Sequence, residues 1–175
     1  MFLRIVLILL SIVFVSVLSS YLLGRLFRIP LSLSILLGIG NGICGSSAIA
    51  AASSAIRSDE DETGVSIAVI NILGALAIFI LPSLIAVLGI EGINERGVII
   101  GGTIQAVGQV TAAGFIVGVD VGRFATLVKM VRILMLGPAI LVLGFLFRGG
   151  KGGKSSLGLF SVPGFIVGFI LMSIL

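Results

Sequence analysis

The stretch that decides how this chain folds is GIGNGICGSSAIAAASSAI, residues 38–56, in which glycines at 38, 40, 42 and 45 are followed by an almost unbroken run of small residues. It sits in a sequence that is 58% hydrophobic and only 10% charged, with a mean hydropathy of +1.36. Soluble domains carry roughly 25% charged residues, so 11 Lys and Arg with 7 Asp and Glu are too few to cover a water-facing surface of 175 residues. The composition is that of an integral membrane protein in a lipid bilayer, and it excludes a soluble enzyme or a regulatory domain.

Working outward from this stretch, a membrane span needs roughly 20 apolar residues. Charges, prolines and glycines divide the chain into six predicted spans in one all-α transmembrane domain: 2–23, 31–56, 64–88, 98–118, 124–147 and 157–175. The first is read as a retained span rather than a signal peptide, because its apolar run is too long and no A-x-A type site follows. The connections are short, and the one at 148–156 is rich in Gly, Lys and Ser. Arg25, Arg28, Arg96, Arg148, Lys151 and Lys154 fall on one face of this arrangement and Arg4, Arg57 and Arg123 on the other, which puts the first face in the cytoplasm of a cell membrane.

Two of the six segments differ from plain Leu/Ile/Val/Ala helices. Residues 38–54 and GVIIGGTIQAVGQVTAAG (97–114) both combine glycines with amides and hydroxyls, and each is followed by an acid-bearing loop and a long helix with a proline, Pro82 or Pro138. The pairing reads as an internal repeat of about 57 residues, Ala68 matching Ala125. Paired Gly-interrupted segments in corresponding positions are the sequence pointer to a transporter site. The predicted breaks lie near 41–45 and 101–109.

A break at 41–45 leaves SSAIAAASSAI as a half-helix whose first N–H groups, with Ser46 and Ser47 as capping hydroxyls, point into the membrane and favour an anion. Helix packing is the competing explanation, since GVIIG (97–101), GFIVG (114–118) and GFIVG (164–168) are all of the small-xxx-small type. Packing is the better account of 164–168, where Gly164 and Gly168 would join two copies in a homodimer. It does not explain why Asn41, Cys44, Ser46, Ser47, Thr103, Gln105 and Gln109 gather beside the other glycines.

In ATLVKMVRILMLGP (125–138), Lys129 and Arg132 stand three apart on one helical face inside a span. A charge there costs at least ~2.5–3.5 kcal/mol on insertion scales. Either both side chains snorkel to the interface, or they face a cavity and hold an anion, Arg132 with its two-pronged fork and Lys129 as a point charge. No carboxylate lies within a span. Asn71 is either a cavity residue or a partner in an interhelical hydrogen bond.

Other chemistries are excluded by what the chain lacks. With no His and one Cys there is no Cys/His metal cluster and no Ser-His-Asp triad, and Cys44 has no base to activate its thiol. The basic residues flank apolar runs instead of alternating with aromatics, so no nucleic acid is expected as a partner. The reading is of a non-enzyme without cofactor or metal. Its candidate substrate-binding residues are Asn41, Gly42, Cys44, Gly45, Ser46, Ser47, Thr103, Gln105, Gln109, Lys129 and Arg132.

The segments GNGICGSSAIAA (40–51), VSIAVINILGALAIFILP (65–82), AVGQVTAAG (106–114), ATLVKMVRILMLGPAILVLG (125–144) and VPGFIVGFILMSIL (162–175) resemble the sulfate exporter family. This is a conserved hypothetical bacterial and archaeal membrane family related to bile acid, arsenite and cation/proton antiporter transporters. The resemblance implies a polytopic exporter of a small anion such as sulfate or a sulfonate, with broken, crossing helices and alternating access around a midplane site. Family members are about twice as long, so this chain resembles their central part. The alternative is a transport-inactive half-length relative serving as an accessory or structural subunit. Where the family has a histidine and an acid, this chain has Gln105 and Ala106.

Overall fold

A computed structural model describes residues 2–147, and the predicted span 157–175, the loop 148–156 and the Gly164/Gly168 contact lie outside them. Eight helices follow in order: α1 (Phe2–Leu26), α2 (Leu31–Gly42), α3 (Ser46–Ile56), α4 (Glu60–Val87), α5 (Ile93–Thr103), α6 (Val107–Val117), α7 (Val119–Leu134) and α8 (Leu136–Leu146). The protein is an all-α, multi-pass membrane protein. Three helical stretches are long and apolar enough to cross a membrane unaided: Leu7–Leu26, Glu60–Val87 and Val119–Phe145. The other helices form two broken pairs, α2 with α3 and α5 with α6. Each half has 11 or 12 residues, and at 1.5 Å per residue two halves end to end reach roughly the thickness of a bilayer core.

The boundaries have local causes. The chain before α4 supplies Asp59 as N-cap residue, then Glu60, Asp61 and Glu62 in the first turn, where negative charge meets the positive end of the helix dipole. Pro138 has no N–H for the carbonyl of Leu134 and its ring crowds that carbonyl, so α7 ends at Leu134 and α8 starts afresh two residues on.

α5 and α6 both lie along α7, α1 lies along α2, and α3 is clasped by α4 and α8. Glycines set the close approaches. A Cβ on Gly114 would stand 2.7 Å from Cα of Gly122, and one on Gly38 would stand 2.9 Å from Cα of Val17. Packing therefore accounts for Gly38, which faces α1, and for Gly97, Gly101 and Gly114, which face α7, while Gly42 faces α1 at ordinary contact distance. Only one glycine of the first segment is there for its backbone angles. Gly45 has φ +76° and ψ −129°, a region that L side chains do not enter without strain. The expectation that glycines 38 to 45 together make the break narrows to this residue.

The outer surface is apolar, Phe79 being 72% exposed, while the largest fully buried side chains are Arg132 and Lys129. That inversion is what a bilayer solvent imposes: greasy residues outside, the costly polar ones sealed within.

Candidate functional site

The two breaks meet. In the first, α2 ends at Gly42, the chain turns through Ile43 and Cys44, and Gly45 starts α3. In the second, Ile104, Gln105 and Ala106 run extended between α5 and α6, with Ile104 and Ala106 both in the β region. A Cβ on Gly45 would touch Cβ of Gln105 at 3.4 Å, so the start of α3 lies against the residue that precedes the start of α6.

Each break strands carbonyls at the end of its first half-helix, and in a membrane they need donors from the protein. α7 provides them. Lys129 Nζ donates to the carbonyls of Ile43 (2.7 Å) and Ile104 (2.9 Å). Arg132 donates from Nε to Gly42 (2.5 Å), from Nη1 to Gly102 (2.7 Å) and Ile104 (3.4 Å), and from Nη2 to Asn41. Both residues thus span the C-terminal ends of α2 and α5, where the helix dipoles are negative. The planar fork of Arg132 suits a ring of oxygens from two directions.

This corrects the sequence expectation for the two cations. They neither snorkel nor stand open in this arrangement: Lys129 is 0% and Arg132 1% exposed, and the hydrogen bonds they make go to backbone carbonyls. Two further expectations change. The N-cap of α3 is Gly45, with no side-chain cap, so Ser46 and Ser47 are not capping hydroxyls; Ser47 Oγ lies 2.9 Å from Cys44 Sγ instead. Gln109 is engaged at both ends, Oε1 accepting from the Ala106 N–H (3.3 Å) and Nε2 donating to the Asn71 carbonyl (3.4 Å), so it fastens α6 to α4 and does not line a wall. The Asn71 side chain itself is exposed.

Among the remaining candidates Asn41, Ser47 and Thr103 are exposed, Ser46 is half-buried, and Gly42, Cys44, Gly45 and Gln105 are buried. Asn41 and Gln105 join the two breaks directly through Gln105 Nε2 donating to Asn41 Oδ1 at 2.6 Å. The sequence reading missed Ser16, placed in a helix taken as plain. Ser16 Oγ donates to the Gly38 carbonyl (3.0 Å) and accepts from Asn41 Nδ2 (3.3 Å). Its signal was spacing among the serines of α1, with Ser20 one turn on facing the same neighbour through the Ser34 carbonyl.

The N-terminal ends of α3 and α6 therefore start near each other, across the breaks from the buried guanidinium that holds the ends of α2 and α5. Among the described residues the carboxylates sit in loops or first turns: Asp59 to Glu62, Glu91, Glu95 and Asp120. The ion pair among the described residues joins Arg123 to Asp120 at the surface. Neither Lys129 nor Arg132 forms an ion pair among the described residues.

A family model described as Conserved hypothetical protein 698 matches residues 2–175. The chain belongs to that family. Conserved hypothetical protein 698 relatives include UPF0324 membrane proteins from Brucella suis, 41% identical over 93% of this chain and 48% of its own length, and from Agrobacterium fabrum, 41% identical over 92% and 46%. A UPF0324 membrane protein of Staphylococcus aureus is 30% identical over 94% of this chain and 49% of its own. The chain spans about half the length of the curated relatives it matches. No solved structure matches it significantly.

Proposed function

We propose that this chain carries a small oxyanion across the membrane as a secondary transporter, not an enzyme, with the anion held where α3 and α6 begin. The observation that carries the reading is the pairing of two helix N-termini with a buried arginine and no carboxylate beside them among the described residues. Because Lys129 and Arg132 neutralise the C-terminal ends of α2 and α5, the N–H ends remain as the part of the breaks that can take a negative ligand. Sulfate and sulfonates are the candidates that the family resemblance suggests. Alternating access follows from separating the two breaks.

Asn41, Ser47 and Thr103 are exposed beside the breaks, and polar side chains facing lipid are costly. A second copy of the chain covering that face would take them out of lipid. The second reading is an accessory subunit without transport of its own. One assay separates them. The purified chain, run first on size exclusion with light scattering, is reconstituted in liposomes and loaded with radiolabelled sulfate or phosphate. Saturable flux above protein-free vesicles from a dimer is expected; a folded protein that moves neither anion would rule out transport by this chain.

A further inference from the structure

Gln105 is 6% exposed, and its Oε1 is a buried oxygen with no hydrogen-bond partner among the described residues. An unsatisfied buried acceptor is rare and costly. Gln105 packs its Cβ against Gly45 at the start of α3 and stands one residue before the N-cap of α6.

Which end of the amide is free is fixed by a directed chain of hydrogen bonds. The Gly38 carbonyl can only accept, so the single proton of Ser16 points at it. Ser16 Oγ must then accept, which turns the Asn41 NH2 toward it. Asn41 is left presenting Oδ1 to Gln105, and Gln105 must answer with Nε2. The terminal free atom is consequently Oε1, an acceptor.

A fully deprotonated anion such as sulfate has only lone pairs to offer, and one of its oxygens set against Oε1 is repelled. Inorganic phosphate keeps at least one O–H throughout the neutral range and satisfies the helix N–H groups and the lone acceptor together. We propose that the site selects an oxyanion that retains a proton at neutral pH, with Gln105 as the specificity-determining residue and Ser16 as the positioning residue that sets its polarity. The proposal rests on the anion reading given above and narrows its substrate class away from sulfate. Oε1 is sealed in the present arrangement, so the ligand's O–H reaches it when the two breaks part, and the orphaned acceptor makes that sealed state the less comfortable one without ligand.

The test is equilibrium binding of sodium phosphate and sodium sulfate to the full chain in detergent at pH 7, at constant sodium. Wild type is expected to hold phosphate at least about tenfold more tightly, since a site built to bond a ligand's OH rejects the analogue lacking it. Gln105→Met removes the acceptor. Ser16→Ala frees the relay to reverse, so that Gln105 can present Nε2 instead, and it does this from a neighbouring helix. Both variants are expected to bring the phosphate-to-sulfate ratio toward one, whereas a merely structural loss lowers both affinities together. Should Gln105→Met not fold, the wild-type ratio and Ser16→Ala decide. A wild-type preference for sulfate, or a ratio unmoved in the folded variants, overturns the proposal while leaving an anion site. Binding of neither anion overturns the anion reading itself.

Discussion

Arg132→Met is expected to leave the chain barely able to hold its fold in detergent. Methionine keeps the flexible apolar stem, ending at about the position of Nε, and donates nothing, so the carbonyls of Asn41, Gly42 and Gly102 lose their donors from α7 together. Each buried, unsatisfied carbonyl costs roughly 1–3 kcal/mol, which puts the total above about 3 kcal/mol. Removing a charge from the membrane interior works in the other direction, because an isolated mid-membrane cation costs at least ~2.5–3.5 kcal/mol on insertion scales. That relief is small here, since the guanidinium is already surrounded by four carbonyls that solvate it. The net expectation is a melting temperature lower by roughly 10 °C or more, read by fluorescence-detected size exclusion after heating. Arg132→Lys should fall between the two, because one ammonium cannot reach around both helix ends as the fork does.

Gly45→Ala is expected to destabilise by about 1–3 kcal/mol through the backbone alone. The φ of +76° with ψ of −129° is open to glycine and closed to alanine, while the added Cβ would meet only ordinary contacts with Gln105 and Ile70. Gly108→Ala is the matched control. Gly108 lies within α6 with nothing near the position of an added Cβ, so there the same substitution should stabilise by up to about 1 kcal/mol, by helix propensity. Opposite signs from the two variants in thermal unfolding would assign the first break to Gly45; equal effects would not.

What could be read from the sequence, and what could not, follows from which atoms a sequence displays. Lys129 and Arg132 were legible as an unusual pair inside an apolar helix, because side-chain charge and helical spacing are written in the residue types. Their partners were not, since those partners are backbone carbonyls that every residue owns and only a broken helix frees. The first break was legible in its location but over-assigned: Gly38 faces α1 closely, Gly40 faces Ile49, and one glycine makes the turn. The second break was placed by the glycines around it, yet the residues that run extended are Ile104, Gln105 and Ala106. Gly101 and Gly102 remain helical there. Ser16 was passed over because serines scattered along an apolar helix say nothing until α2 lies beside it.

The central claim is that the two buried cations hold helix ends and not the anion. Solid-state NMR on the chain in lipid bilayers, with 15N in the arginine guanidinium and 13C in glycine carbonyls, measures it directly. The Arg132 nitrogens lie 2.5 and 2.7 Å from the carbonyl oxygens of Gly42 and Gly102, so strong nitrogen–carbon dipolar dephasing is expected at both glycines, unchanged when phosphate is added. Absence of that contact, or its loss on adding phosphate together with the appearance of phosphorus–nitrogen dephasing at the guanidinium, would contradict it.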